Sequence, residues 1–275
     1  MRLFVFDTSL VCQALGIGEN GLMVLTKRLG LSDMEKVDYW CSELVRQVGC
    51  ECDYTLPSQE HGSDHAQLPN VNIEEGNRLI LGNNVQISGK SRIDIKGKRN
   101  IVIICNDVRL SDSTILVQRD ANIVVIGNRV LLRHVGLKIS GGKSAFMMGR
   151  NATWVGGSGL CEAPERNVIV GNDCMFAQSV VLRTDDGHGI FSRTTGEQVN
   201  GPASVAVHEH VWLGNAVRVN KGAVIHRGSV LAAGSVVSGT VEPHCVYGGV
   251  PAHKIREDVT WSRTMQFEDI PELYR

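Results

Sequence analysis

The residues best suited to chemistry sit together in the segment Thr184-Asp-Asp-Gly-His188-Gly-Ile190, where Asp185 and Asp186 precede a histidine flanked by glycines. An imidazole with an unperturbed pKa of about 6.5 can accept a proton from a poor nucleophile such as a sugar hydroxyl near neutral pH, and a neighbouring carboxylate can orient the ring. Gly187 and Gly189 leave room beside it. Taken alone, such a string describes a solvated loop more readily than a catalytic base. Trp212 follows 24 residues after His188, in His210-Val-Trp-Leu-Gly214. An indole placed directly after a corner-packing valine is expected to project outward, where packing does not account for it.

The elements that must hold these residues are set by a period of six. Six hexapeptides run in phase from Val207 to Glu242, opening with Val207, Leu213, Val219, Ile225, Leu231 and Val237, and with small or β-branched fifth residues at Val211, Val217, Ala223, Ser229, Ser235 and Val241. Such a period fits a chain wound into a triangular prism, each hexad forming one short flat face and one corner. The first side chain fills the axis, and the fifth packs near a corner. Upstream the pattern aliphatic-Gly-Asn-x-Val starts at Leu81, Ile104, Ile126, Met148 and Val170, spaced 23, 22, 22 and 22 residues apart, about four more than three tight hexads. Corner loops are the natural place for that excess, and the recurrent third-position Asn suits left-handed corners and an amide ladder between coils. At roughly 4.8 Å per coil, about eight coils between Leu81 and Val250 make a rod on the order of 40 Å long. The in-phase starts Phe176 and Leu182 are followed only by Val207, so the Asp-Asp-Gly-His string opens the one long excursion of the winding. Long loops on a rigid scaffold commonly carry function.

At these positions the chain resembles the hexapeptide-repeat acyltransferases, and within them the capsular-polysaccharide and sialate O-acetyltransferase branch. The resemblance covers roughly residues 75 to 263. It is carried by Thr184-Asp-Asp-Gly-His188-Gly-Ile, Thr195-Gly-Glu-Gln-Val-Asn200, His210-Val-Trp212-Leu-Gly, Gly234-Ser-Val-Val, Gly248-Gly-Val-Pro-Ala252-His-Lys-Ile-Arg256 and Trp261-Ser-Arg263. It implies an all-β fold, a left-handed parallel β-helix, acting as a homotrimer on acetyl-CoA. By resemblance His188 is the general base of a direct acetyl transfer, Trp212 lines the acetyl and acceptor site, and Asn215 is the candidate oxyanion donor. Asn215, Ala233, Ser238, Gly239, His253 and Arg256 match cofactor-contacting positions, with Lys254 and Arg256 offering charge to phosphates. Asp185 and Asp186 join Trp212 as candidate acceptor-binding residues. The implied activity is O-acetylation of a capsular or related bacterial surface polysaccharide sugar. The alternatives are N-acetylation of an amino sugar nucleotide or acetylation of a small, xenobiotic-type molecule. Two further classes are a trimeric β-helix metalloenzyme like the γ-type carbonic anhydrases, which needs three converging histidines, and a non-catalytic scaffold. The residues do not name the acceptor sugar.

The chain departs from the family pattern at His208 and His226, which stand where Gly is usual. His208-Glu-His210 places two imidazoles two apart, but with no third ligand evident no metal is expected. Trp154, Trp261 and Trp40 read as packing residues.

Composition agrees with a winding of many turns and thin aliphatic layers: 275 residues, 30 glycines, 5% aromatics and a formal net charge of −1. That charge gives no electrostatic case for nucleic acid or an anionic membrane. No apolar stretch is long enough for membrane insertion, and the N-terminus does not read as a secretory signal, so a cytoplasmic protein is expected. Eight scattered cysteines without a Cys-x-x-Cys pair read as reduced thiols used as small hydrophobes. Residues 1–70 lack the repeat and read as a small, mostly helical appendage and linker, with a capping box at Ser32–Glu35 before a helix ending at Gly49, and a shorter helix over 20–29. The β-helix is assigned to 71–256 and a C-terminal tail to 257–275.

Overall fold

The computed structural model describes residues 70–275. The appendage expected over residues 1–70, with its two helices and Trp40, lies outside the described residues except for Asn70. The rest is a parallel β-helix with three faces of eight strands each. The first face stacks strands 78–81, 101–104, 123–126, 145–148, 168–170, 205–207, 224–225 and 240–241. The second face carries 86–88, 109–111, the first part of 131–139, the first part of 153–161, 175–176, 212–213, 230–231 and 246–248. The third carries 71–73, 92–95, 114–117, the later parts of 131–139 and 153–161, 180–183, 218–219 and 236–237.

The axis is filled by one side chain after another in register. Val207, Leu213, Val219, Ile225, Leu231 and Val237 are all buried, as are Val211, Val217, Ala223, Ser229 and Ser235 at the corners. A slip of one residue would turn each of these outward, and burying a Val, Leu or Ile is worth roughly 1.5–3 kcal/mol, so the hexad pattern sets the register. The last hexad breaks this rule. Val241 pairs with Ile225 and so takes the axis position, because the corner Ser238-Gly239, with Gly239 at φ 124°, turns in two fewer residues than its neighbours. Cys245 and Tyr247 then resume the fifth and first positions.

The excess of the upstream coils is not mainly in the corners. It lengthens the strands of the first and third faces from two residues, as in 224–225 and 218–219, to four, as in 123–126 and 114–117. A pleated strand accommodates an added pair by placing one more residue on the axis, which fills a wider prism.

All three corners turn through a left-handed residue. At the corner between the first and second faces the column is Asn84, Asp107, Arg129, Asn151, Asp173 and His210, with φ from 52° to 59°. The left-handed residue is therefore the fourth of the aliphatic-Gly-Asn-x-Val motif, not the Asn. That Asn does form the ladder, by accepting backbone N–H groups from the preceding coil: Asn83 N–H to Asn106 Oδ1 at 2.8 Å, Asn106 N–H to Asn128 Oδ1 at 3.0 Å and Arg150 N–H to Asn172 Oδ1 at 2.9 Å. A second, more deeply buried ladder enters the first face. Asn122 donates both its N–H and its Nδ2 to Asn100 Oδ1, at 2.8 and 3.0 Å, and Asn100 does the same to Asn77.

Candidate active site

The excursion leaves the third-to-first corner as an exposed hairpin. Its neck is closed by Ala203 N–H donating to Thr184 O at 3.0 Å, and its arms by Val199 N–H to Ile190 O and Ser192 N–H to Glu197 O, both 2.8 Å. His188 sits in the first turn of the hairpin with its side chain exposed. The backbone around it is tightly held. Asn200 Nδ2 donates to His188 O at 2.8 Å and to Asp186 Oδ2 at 2.8 Å, Asn200 Oδ1 accepts Ile190 N–H at 2.6 Å, and Gly187 N–H donates to Asp185 Oδ1 at 2.7 Å.

The two acids are thus committed to the turn itself. Asp185 closes a local Asx turn, and Asp186 takes the Lys221 ammonium at 2.5 Å, which with Asn200 holds its carboxyl below the usual carboxylate range. Neither carboxylate bonds the imidazole in this structure. An open groove of about 390 Å³ adjoins the turn, lined by Asp185 and Gly187 together with Gln118, Arg119, Ser140 and Glu162 of the preceding coils.

Trp212 projects from the second face and is 37% exposed, as its position after the buried Val211 predicted. It leans on Trp261, ring centroids 6.2 Å apart. Asn215 and Ala233 are exposed at the second-to-third corner, where Asn215 Oδ1 accepts Gln178 N–H at 3.1 Å and its carbonyl accepts Gly234 N–H at 2.7 Å. The Asn215 amide N–H remains outside that ladder. Exposed Ser238 and half-buried Gly239 lie on the third-to-first corner, the edge from which the His188 hairpin springs, and Ser238 Oγ accepts from Asn220 Nδ2 at 3.0 Å. His253 and Arg256 are exposed on a strand, His253–Arg256, that folds back antiparallel on 246–248. Lys254 on the same strand is taken by Glu242 at 2.9 Å and Glu257 at 3.4 Å, which leaves Arg256 as the cation there for an anionic group.

Within one chain these residues form two groups. His188, Asp185, Asp186, Ser238 and Gly239 share one edge; Trp212, Asn215 and Ala233 stand across the third face from them.

His210 belongs to neither group. It is 1% exposed and stacked between Trp261 and Tyr274, with centroids 4.3 and 4.4 Å away and rings within 10° of parallel. Its Nδ1 lies 2.8 Å from Asp173 Oδ2 and its Nε2 3.0 Å from Trp261 O, so both nitrogens face acceptors. Trp261 Nε1 returns a bond to His210 O at 2.8 Å. Arg263 extends the contact along the corner, donating to Asp173 Oδ1, Thr153 Oγ1, Asn151 O and Cys174 O at 2.9 to 3.1 Å. The tail is therefore a strap laid down the first-to-second corner. Spacing alone could not find it, because it joins Asp173 to Arg263, 90 residues apart.

His208 and His210 do not share a face: His208 meets His226 of the next coil, centroids 4.7 Å apart. No group of three or more metal-binding side chains occurs among the described residues. Cys105, Cys161, Cys174 and Cys245 are buried and form no disulfide, and burial pushes the Cys161 thiol up to about 12, which makes it a packing group rather than a nucleophile. Cys12, Cys41, Cys50 and Cys52 lie outside the described residues. Trp154 is buried against Phe176 edge to face, at 5.3 Å.

Comparison with known proteins places this architecture. No family model matches the chain. The polysialic acid O-acetyltransferase of Escherichia coli O1:K1 / APEC is 31% identical over 129 residues, 47% of this chain and 42% of that protein. The polysialic acid O-acetyltransferase of Neisseria meningitidis is 28% identical over 150 residues, 54% of this chain and 69% of its own length. The crystal structure of the polySia specific acetyltransferase NeuO superposes with a TM-score of 0.67 at 29% identity, covering 72% of this chain and 84% of that one. The chain is a parallel β-helix similar to the polysialic acid O-acetyltransferases. The match spans less than half the length of the first of these relatives. Among the described residues no helix is long and apolar enough to cross a membrane.

Proposed function

We propose that the chain is an O-acetyltransferase, a left-handed β-helix that moves an acetyl group from acetyl-CoA to a hydroxyl of a bacterial surface polysaccharide sugar. The observation that carries this reading is His188: an exposed imidazole on a turn held by four hydrogen bonds, in a chain related to enzymes named for acetylating polysialic acid. An exposed group on a fixed backbone is what a general base requires, since it must reach a hydroxyl at hydrogen-bond distance without being consumed by internal bonds.

The hydroxyl oxygen attacks the thioester carbonyl while His188 accepts its proton. As the tetrahedral intermediate collapses, the C–S bond breaks and the imidazolium returns the proton to the departing thiolate. No acetyl-enzyme forms. The free amide of Asn215 is the candidate donor to the transient oxyanion, and Trp212 offers the acceptor ring an apolar face. Asp185 and Asp186 act first by shaping the His188 turn, and the groove beside Asp185 and Gly187 gives an acceptor access to it.

The division of the candidate residues between two edges supports a homotrimer. A site holding both His188 and Trp212 is completed when the His188 edge of one chain faces the second-to-third corner of a neighbour, and closed three-fold symmetry makes three such sites. Ala233, Ser238, Gly239, His253 and Arg256 line the surfaces that such a groove would enclose, which suits a long amide-bearing donor with an anionic end. We place the enzyme in the cytoplasm, where that donor is made.

The test is thiol release from acetyl-CoA across a panel of surface polysaccharides and amino sugar nucleotides, with wild-type protein and His188→Ala. We expect transfer to a polysaccharide hydroxyl and a fall in kcat of about 100-fold or more in the variant, the usual scale for losing a general base, with acetyl-CoA affinity nearly unchanged. Transfer to amino groups alone, or wild-type turnover in His188→Ala, would refute it.

A further inference from the structure

The excursion carries about twenty residues away from the prism, and side chains of the rigid coil reach into it: Arg183 Nε donates to Asp185 O and Arg166 Nε to Pro202 O, one at each root, while Lys221 bonds both arms. Strand 218–219 pairs with 180–183, Val181 opposite Arg218 and Leu182 opposite Val219, which sets Lys221 one coil beyond Thr184, where the excursion begins. Gly222, at φ 77°, turns the chain there, and its N–H donates to Ser204 O at 3.0 Å, at the other root of the hairpin. Lys221 is thus fixed at its base by the corner. Its stem is largely covered, with 18% of the side chain exposed, and its ammonium meets two acceptors on separate arms of the hairpin: Asp186 Oδ2 at 2.5 Å and Asn200 O at 2.5 Å. Asn200 then passes the constraint to His188 O and Ile190 N–H.

We propose that Lys221, acting through Asp186 and Asn200, is a positioning residue that pins the His188 turn to the coil. This rests on the reading of His188 as the general base. The physical need is clear: an exposed turn on a long hairpin would otherwise wander, and a misplacement of about 1 Å can cost on the order of 100-fold in rate. A lysine suits the task because its three rotatable donors can satisfy acceptors on two segments at once, while its charge makes both bonds charge-assisted. Asp186, which reads from sequence as a partner for the imidazole, serves here as the anchor of the strut. Lys221 touches no reacting atom, and nothing in its local sequence marks it.

Lys221→Met in the full-length protein keeps the stem and removes the charge. We expect kcat for acetyl transfer to fall roughly 10- to 100-fold, with KM for acetyl-CoA within about twofold of wild type. Amide hydrogen exchange in peptides spanning 185–200 should rise about tenfold or more, while peptides across 205–231 stay unchanged. Lys221→Arg should recover part of the rate, and Lys221→Met added to His188→Ala should cost nothing beyond His188→Ala alone. Asn200→Ala, on the hairpin side of the network, repeats the test should the lysine variant fold poorly. Unchanged exchange over 185–200 in both variants, wild-type kcat, or a full additional loss in the double variant would overturn the proposal. Wild-type turnover in His188→Ala would instead remove the base while the exchange data still decide whether the strut exists.

Discussion

The wide coils before the excursion and the tight coils after it are wound alike but differ in what their first face presents. On the first face one outward column runs Ile80, Ile103, Val125, Met147, Ile169, Ala206, Val224 and Thr240. Through Ala206 every member is apolar and at most 5% exposed, although all point away from the prism axis; Val224 is half-buried and Thr240 exposed. A parallel sheet apolar on both sides is one that is covered on both sides. On the first face the wide coils therefore present a packing face, which the tight coils beyond Ala206 do not continue; on the other two faces both regions expose outward residues, Arg109 and Arg133 in the wide coils and Trp212 and Arg218 in the tight ones. The site candidates follow that division: every candidate cofactor contact lies in the tight coils, and the candidate base hangs at the boundary.

The sharpest way to break this comparison is to place one charge in the same column on either side of the boundary. Val125→Asp buries an unpaired carboxylate and should destabilise the fold by several kcal/mol, enough to remove the cooperative thermal transition or abolish soluble expression. Val224→Asp, further along the same column, should change stability by no more than about 0.5 kcal/mol. Equal effects in calorimetry would show that the two regions are not distinct.

Much of this division is legible in the sequence. The runs Ile101-Val-Ile-Ile104 and Ile123-Val-Val-Ile126 have no polar alternation, which is how a doubly covered strand reads, and the hexad starts marked the axis correctly through Val237. The register after Val237 was not legible, because Ser-Gly-Thr fits the small-residue pattern of a hexad and only the Gly239 backbone shows that the corner is short. The Asn77, Asn100, Asn122 ladder repeats at the same spacing as the Gly-Asn motif and could have been found by aligning the coils. His188 and Trp212 stand out as candidates through motifs, whereas Lys221 and the Arg263 strap depend on contacts between distant segments that no local pattern encodes. His210 illustrates the limit from the other side: next to Trp212 in sequence it suggests chemistry, but its left-handed backbone turns the ring inward under the tail.

That tail is the one described element that ties the two regions along a single corner. Arg263 bonds Asn151, Thr153 and Asp173 of the wide coils, while Trp261 and Val259 bond His210 and His244 of the tight ones. Arg263→Ala removes a charge-assisted cluster and leaves Asp173 with His210 alone, which should cost about 1–3 kcal/mol. The loss should be local. Exchange and proteolysis should rise across 257–275 with the strands before 183 unaffected, and a uniform loss of protection would mean that the strap carries the whole prism rather than its corner.

The smallest expected effect concerns the corner column that changes character at the boundary. In the wide coils it is Gly82, Cys105, Gly127, Gly149 and Gly171, and a Cβ at Gly149 would come within 2.5 Å of Asn172 Oδ1. In the tight coils the same column is His208, His226 and Glu242, following the paired residues Val207, Ile225 and Val241. Burial, and then the nearby His226, push the His208 pKa down to about 4. The unfolded chain takes up that proton near pH 6.5 and the folded chain only near pH 4, so the unfolded state binds more protons between those values. Stability contributed by this site is full above about pH 6.5 and falls as the pH drops toward 4. Because the ring is only half-buried, solvent reduces the effect to a shallow slope. His208→Asn should flatten the fall in urea midpoint between pH 7 and pH 4.5 without moving the midpoint at pH 7.5. An unchanged slope would mean that the column stays solvated at the boundary, and that the change from glycine to histidine marks only the loss of the Asn ladder that made glycine necessary.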